Sequence, residues 1–467
     1  MADLPPGTAP LDLERDFPPV ATSEWNAAIA KDLRGAPFEK KLLWRTEEGL
    51  SLRPYYRSED VAGLGDQRAA GRWQMAQDER PSPEAIRADE LHEAGAHAVQ
   101  ELGYAIAAGV ERLEALGASR PVAAVAPEVE FVFAVGPSFF VEIAKLRAAR
   151  LLWAQVVAAF GATSESAARM RLNVRTPRRN KSLFDRYTNL LRVTTEALSA
   201  VLGGCDRLTV EPFGFDPHLA LNVQRILQDE AHLSAVADPA GGSYFVEALT
   251  DALAREGWKL FQQVEAAGGY ARAVASGAIA KVLAETRSAR EQALSGRRRT
   301  LVGVNHYPNL TEKAPEAELP PLPESPFRAV RLAEPFETIR LRTLAHARAT
   351  GRFPKVLLLK RGDVKMKGAR ATFCLNFFGC AGFELVEGDE VIGDADLVVL
   401  CSSDPEYLAM AEDVCPRVKV PVLVAGNPKE QADALRAAGV QGFVHVGSDA
   451  VETLTLWQDR LGLRRCL

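Results

Sequence analysis

Excess positive charge is missing from this chain: 56 Lys and Arg stand against 61 Asp and Glu, for a net charge of -5 over 467 residues. Nucleic-acid binding leaves a footprint of clustered basic residues, so that class of partner is set aside. Long apolar runs are missing as well, and none approaches the 18 residues that mark a membrane-spanning helix. The opening MADLPPGTAPLDLERDFPP has neither a basic start nor an apolar core, so no signal or transit peptide is read there and a cytoplasmic location is expected. Six cysteines show no C-x-x-C, and the seven scattered histidines add no zinc spacing. The thiols therefore read as reduced, and no metal site is expected. What remains is an ordinary globular composition, 47% hydrophobic and 25% charged, with room for two or three domains.

The apolar pattern changes along the chain. EWNAAIAKDLRG behind Ser23 puts Trp25, Ile29 and Leu33 on one side of a short helix with Gly35 as its cap, and residues 40–56 read as two extended segments around Glu48-Gly49. From about residue 84 strands alternate with long helices, which implies parallel β/α units. The strands are expected at 85–88, 129–136, 170–176 and 208–213, roughly four in all. A complete eight-unit barrel takes about 250 residues, so its front half is expected to be missing or compressed. Residues 309–326 hold five prolines in eighteen positions and read as a linker. A helix at about 334–350 follows, then strands at 355–359, 383–386, 396–401, 421–425 and 442–446, the pattern of a doubly wound sheet.

The organising stretch is KVLLLKRGDVKMKGARATFCLNFFGCAGFELVEG, residues 355–388. A buried-type strand leads into a polar turn, and a helix from about Gly368 carries Phe373, Phe377 and Phe378 inward. Ligands of such folds lie at the carboxyl ends of the strands. The turn reads Asp363-Val364-Lys365-Met366-Lys367-Gly368. It is similar to the D-x-H-x-x-G loop of the cobalamin-binding domain of methylmalonyl-CoA mutases, with Lys365 at the place of the cobalt-ligating His. An imidazole offers cobalt a lone pair, and a lysine ammonium has none to give.

The resemblance to the methylmalonyl-CoA mutase family extends through most of the chain. Residues 17–56 resemble its N-terminal arm, with Trp25, Gly35, Trp44 and Gly49 in order. EAGAHAVQELGYAIAAGVE, EIAKLRAARLLW, NLLRVTTEALSAVLGG, DPAGGSYFVEALTDALAREGW and VGVNHY resemble its acyl-CoA barrel. The resemblance implies an α/β fold: a partial (truncated) TIM-type β/α barrel plus a C-terminal flavodoxin-like, cobalamin-binding-type doubly wound domain. It divides the chain into an arm (1–70), the truncated barrel (71–308), a linker (309–333) and a degenerate cobalamin-binding-like domain (334–467).

The family's site residues carry over poorly. Aligned on Glu93-Ala94-Gly95, the position of its catalytic His falls on Glu90. Its tyrosine-bearing R-G-P-Y segment has no counterpart, and its glutamine-rich loop is replaced by Thr176-Pro177-Arg178-Arg179-Asn180-Lys181-Ser182. No catalytic residue and no cobalamin are therefore expected in this chain, with Asp363, Lys365 and Gly368 marking the degenerate loop. The resemblance implies the small, non-catalytic subunit of a heterodimer whose large subunit carries adenosylcobalamin and interconverts methylmalonyl-CoA and succinyl-CoA. A self-sufficient acyl-CoA mutase and a free-standing acyl-CoA-binding scaffold are the competing readings. Arg175, Arg178, Arg179 and Lys181, at the carboxyl end of a strand, read as a solvated charge run or as a contact to a CoA phosphate. His92 and His97 read as packing or solvated residues, and Asp238–Tyr244 as a turn. Ser403-Asp404-Pro405-Glu406 brings bulk and charge to the place of the family's nucleotide tail.

Overall fold

The computed structural model describes residues 13–64, 72–77, 81–162, 164–312 and 325–463. The chain divides into two compact units, Met1–Ala62 and Gly63–Leu467. In the first, helix Thr22–Asp32 is capped by Ala21, so Ser23 lies inside its first turn and not before it. The helix buries none of its residues. Strands β1 (Trp44–Arg45) and β2 (Ser51–Leu52) pair antiparallel across the Glu48-Gly49 turn, as expected of a hairpin. Gly49 has φ +82°, a left-handed conformation that favours glycine.

The second unit holds two all-parallel sheets. The first consists of β3 (Gln74–Ala76), β4 (Ile86–Arg87), β5 (Glu130–Ala134), β6 (Arg171–Arg175) and β7 (Arg207–Thr209). Their order is β3-β7-β6-β5-β4, and every neighbouring pair is parallel. The four strands expected after residue 84 are β4 to β7, and β3, which precedes them, was not expected. In a closed barrel the first strand pairs with the last. Here β3 pairs with β7, Gln74 opposite Arg207, while β4 to β7 follow in chain order. The sheet therefore reads as a first strand and four closing strands, with a gap between β3 and β4 where the intervening units of a barrel would stand.

Alternation along the strands separates the two faces of this sheet. Phe131, Phe133, Leu172, Val174 and Leu208 are buried on the helix-covered side. Helices Ala98–Gly117, Phe139–Ala159 and Arg186–Leu202 cover it, with Trp153 edge-on to Phe131 at 4.8 Å, and helix Tyr244–Ala266 packs against the first two. The other face carries Glu130, Val132, Asn173, Arg175, Arg207 and Thr209, which line a cavity of about 170 Å³ with Pro81 and Ser82. Pro81 and Ser82, which precede β4, thus lie against the face that would be a barrel's interior.

The second sheet is β8 (Lys355–Lys360), β9 (Glu384–Gly388), β10 (Leu397–Cys401), β11 (Val422–Ala425) and β12 (Gly442–Val444). Its order, β12-β11-β10-β8-β9, is the flavodoxin-like doubly wound arrangement, with the switch point between β8 and β10. Val356 and Leu358 pack to one side with Phe377, Phe378 and Trp457, and Leu357 and Leu359 to the other with Tyr407, Met410 and Val414. Each fully buried side chain of this kind contributes about 1.5–3 kcal/mol. Helix Glu334–Thr350 lies where expected. Of the linker, residues 313–324 lie outside the described residues.

Candidate functional site

The basic loop after β6 does not stay together. Arg175 pairs with Glu211, and Arg178 approaches the same carboxylate at 3.5 Å. Lys181 turns inward, is 0% exposed, and meets Glu196 at 2.7 Å and Asn180 Oδ1 at 2.8 Å. Burial pushes the Lys181 ammonium down and the Glu196 carboxyl up, because desolvation disfavours both charged forms. Arg179 is 2% exposed and donates from Nη1 to the carbonyls of Glu93 and Val330 at 3.3 and 3.2 Å. A solvated run is thus excluded for Arg179 and Lys181, while Arg175 and Arg178 are part-exposed beside Glu211.

Glu90 stands where the family's catalytic His was aligned. It pairs with Arg87 at 3.0 Å and accepts from Ser325 Oγ at 2.8 Å. His92 is buried, as a packing residue should be, with Nδ1 2.8 Å from Glu101 Oε1. Glu101 also accepts from Lys145 Nζ at 2.7 Å, and Lys145 meets Glu142 at 2.6 Å. Two carboxylates around one ammonium reverse the balance seen at Lys181: despite complete burial, Lys145 is held above its ordinary range and Glu101 below. His97 caps helix Ala98–Gly117.

At the switch point the helix begins earlier than expected, at Val364 and not near Gly368. Asp363 is its N-cap, with Oδ1 accepting from Met366 N at 2.8 Å. Lys365 therefore sits in the first helical turn and Gly368 inside the helix, so the three expected loop residues share no loop. Glu406 reaches across from the turn after β10. Its Oε2 accepts from Ser402 Oγ and Ser403 Oγ at 2.6 Å each, from Asp363 N at 3.1 Å and from Ser403 N at 3.2 Å. These donors, Ser402 first, hold its carboxyl down at about 2. Gly362 has φ +78°, a left-handed conformation that favours glycine, and a Cβ there would meet the Glu406 carboxylate. Tyr407, 0% exposed, donates to Ala425 O at 2.6 Å and accepts from Ser402 N at 3.2 Å. Arg370 pairs with Asp404 at 3.1 Å beside Gly426. Glu406, Tyr407 and the Arg370–Asp404 pair stand at the carboxyl ends of β8, β10 and β11.

Residues 46–344 match the family model for methylmalonyl-CoA mutase. The chain is 30% identical to the methylmalonyl-CoA mutase small subunit of Porphyromonas gingivalis, over 96% of this chain and 98% of that protein. It belongs to the methylmalonyl-CoA mutase family. It is 38% identical to the small subunit from Streptomyces virginiae, and 34% to the probable small subunit from Mycobacterium tuberculosis. It spans 65% and 63% of the length of those two mutase relatives. The alignment with the Porphyromonas protein runs over 613 positions and uses about 448 residues of this chain, so about 165 positions have no counterpart here.

Within this mutase-family fold, two features escaped the sequence. Ser403-x-x-Glu406 is a capping-box pattern that would have flagged the Glu406 carboxylate. The company of Arg179, namely Gly95, Arg287 and Arg290, had no local signal, because the contacts join positions far apart in the chain.

Proposed function

We propose that this chain is the non-catalytic small subunit of a heterodimeric, adenosylcobalamin-dependent methylmalonyl-CoA mutase, and that it stabilises a large subunit that carries the methylmalonyl-CoA/succinyl-CoA isomerisation. The division into arm (1–70), truncated barrel (71–308), linker (309–333) and degenerate cobalamin-binding-like domain (334–467) belongs to the same reading. The observation that carries it is the make-up of the switch point. No imidazole is available in residues 361–368, and Glu406, Tyr407 and the Arg370–Asp404 pair stand at the strand ends. These residues do not fit a cobalamin, and no catalytic step is assigned to the group in this chain. Support also comes from Glu90, which is tied to Arg87 and Ser325 and has no proton-shuttling imidazole, and from the small-subunit relatives.

A partner is further supported by the first unit. Helix Thr22–Asp32 has no buried residue, and Phe17, Trp25 and Trp44 are exposed at 67%, 43% and 53%. Large aromatics of this kind are typical interface anchors. Titration of the purified chain with hydroxocobalamin is the direct check. The expected visible spectrum shows no base-off shift from a protein ligand, and incubation with adenosylcobalamin and methylmalonyl-CoA yields no succinyl-CoA. Either signal would overturn the reading.

A further inference from the structure

We propose that Arg179, with Arg287 and Arg290, forms a binding site for a phosphate-class oxyanion beside Gly95, on the side of the basic loop away from Arg175. Arg179 is the decisive residue. It is 2% exposed, yet among the described residues its Nε and Nη2 have no hydrogen-bond partner. Among the described residues, its bonds go from Nη1 to two backbone carbonyls at 3.2 and 3.3 Å. A buried guanidinium with two open N–H groups presents the fork that phosphate oxygens match.

The surroundings add positive charge. Arg290 Nη1 donates to the carbonyls of Gly95 and Ala96 at 3.1 and 3.0 Å, on the same turn that Arg179 touches. A Cβ on Gly95 would lie 3.3 Å from Arg179 Nη2 and 3.1 Å from Arg287 Cβ, so the glycine leaves the guanidinium its room. Burial first and Arg290 second push the Arg179 guanidinium down to about 10, which still leaves it charged at neutral pH. Among the described residues, Glu93 and Glu291 are the acidic groups that act on Arg179. Glu93 is committed to Arg178 N at 2.6 Å, and burial pushes its carboxyl up, which weakens it as a counter-charge. Glu291 stands 3.8 Å from Arg287 and is 38% exposed. A buried charge left in that state is costly, and an oxyanion in contact with Nε and Nη2 would satisfy both donors. The phosphate contact expected of the loop would thus move from the strand end to the junction of helix Ala278–Ser295 with the turn at Gly95.

The probes are inorganic phosphate and coenzyme A, titrated by calorimetry into the full chain with ionic strength fixed by chloride. Saturable binding is expected for the intact chain, with Arg179→Met weakening it by about tenfold or more, as loss of a charge-assisted pair implies. Arg175→Met, outside the cluster, should bind as the parent does. Arg287→Met, a half-buried position on a helix, gives a second reading in case Arg179→Met does not fold. Coenzyme A binding tighter than phosphate would assign the site to a nucleotide phosphate ester, and equal binding to free phosphate. Absence of saturable binding by the intact chain, or unchanged binding in both Arg179→Met and Arg287→Met, would overturn the proposal.

Discussion

Replacing Lys181 with Met should destabilise the five-stranded sheet around β6 and β7, by an amount that depends on pH. Lys181 and Glu196 are 0% and 1% exposed, and among the described residues the carboxylate would keep only Asn180 Nδ2, at 2.7 Å, as a donor. Breaking one side of a buried pair costs about 3–5 kcal/mol when the surviving charge stays ionised. Glu196 has an escape, because it can take up a proton. At pH 7 that costs about 3.7 kcal/mol for a carboxyl with an ordinary pKa near 4.3, and at pH 5.5 about 1.6 kcal/mol. The sign follows from a folded-state pKa raised above the unfolded one. Its stability contribution is present below the ordinary carboxylate range and is lost as pH rises, so the deficit of the variant shrinks on acidification. Hydrogen exchange of peptides covering Arg171–Thr209, corrected for intrinsic rates, reads this locally. The expected loss is about 3–4 kcal/mol at pH 7, falling by about 2 kcal/mol at pH 5.5. Lys181→Met/Glu196→Leu should recover most of it, since apolar replacement of a buried pair is often neutral. A loss below about 1 kcal/mol at pH 7, or a double variant as unstable as the single one, would refute this reasoning.

Three other outcomes are expected. Gly109→Ala places a Cβ 2.7 Å from Phe131 Cζ and 2.9 Å from Trp153, so overpacking should cost about 1–3 kcal/mol in thermal or urea unfolding. The Glu406 carboxyl is held at about 2 against an ordinary value of 4.5, so its contribution is present above the ordinary range and is lost as pH falls toward 2. Exchange at residues 360–366 should rise over that window in the parent, and Glu406→Gln should show the faster exchange at neutral pH already. Lys365→His puts an imidazole in the first turn of a helix at the switch point, among residues that do not fit a cobalamin, so neither cobalt coordination in the visible spectrum nor succinyl-CoA formation is expected from that variant alone.

The doubly wound domain was legible because its strands are runs of buried aliphatics such as Val356–Leu359 and Leu397–Leu400, each ended by a turn. The same clarity located helix Glu334–Thr350 and strands β5 and β6. β3 was not legible. Gln74-Met75-Ala76 is three residues long, and its identity comes from pairing with Arg207–Thr209 more than 130 residues later. Helices Tyr270–Ala275 and Ala278–Ser295 were also missed, since few of their residues are buried and their apolar stripe is thin. In the basic loop, charge count suggested solvent or phosphate, but sequence spacing does not tell which cations find internal acceptors. Lys181 finds Glu196 on the helix that follows its own loop, and Arg179 leaves the loop for the turn at Gly95. The switch point misled for a related reason: Asp363 looked like part of a ligand loop, and its side chain is spent on capping the helix.

Co-expression with a full-length mutase subunit carrying D-x-H-x-x-G, followed by light scattering of the purified material, tests the small-subunit role most directly. A one-to-one complex is expected, with an interface beyond the roughly 2,000 Å² at which obligate assemblies begin. Deletion of residues 1–58 should abolish co-purification while the 355–467 domain stays folded. An intact chain that runs as a stable monomer, indifferent to the co-expressed subunit, would contradict that role.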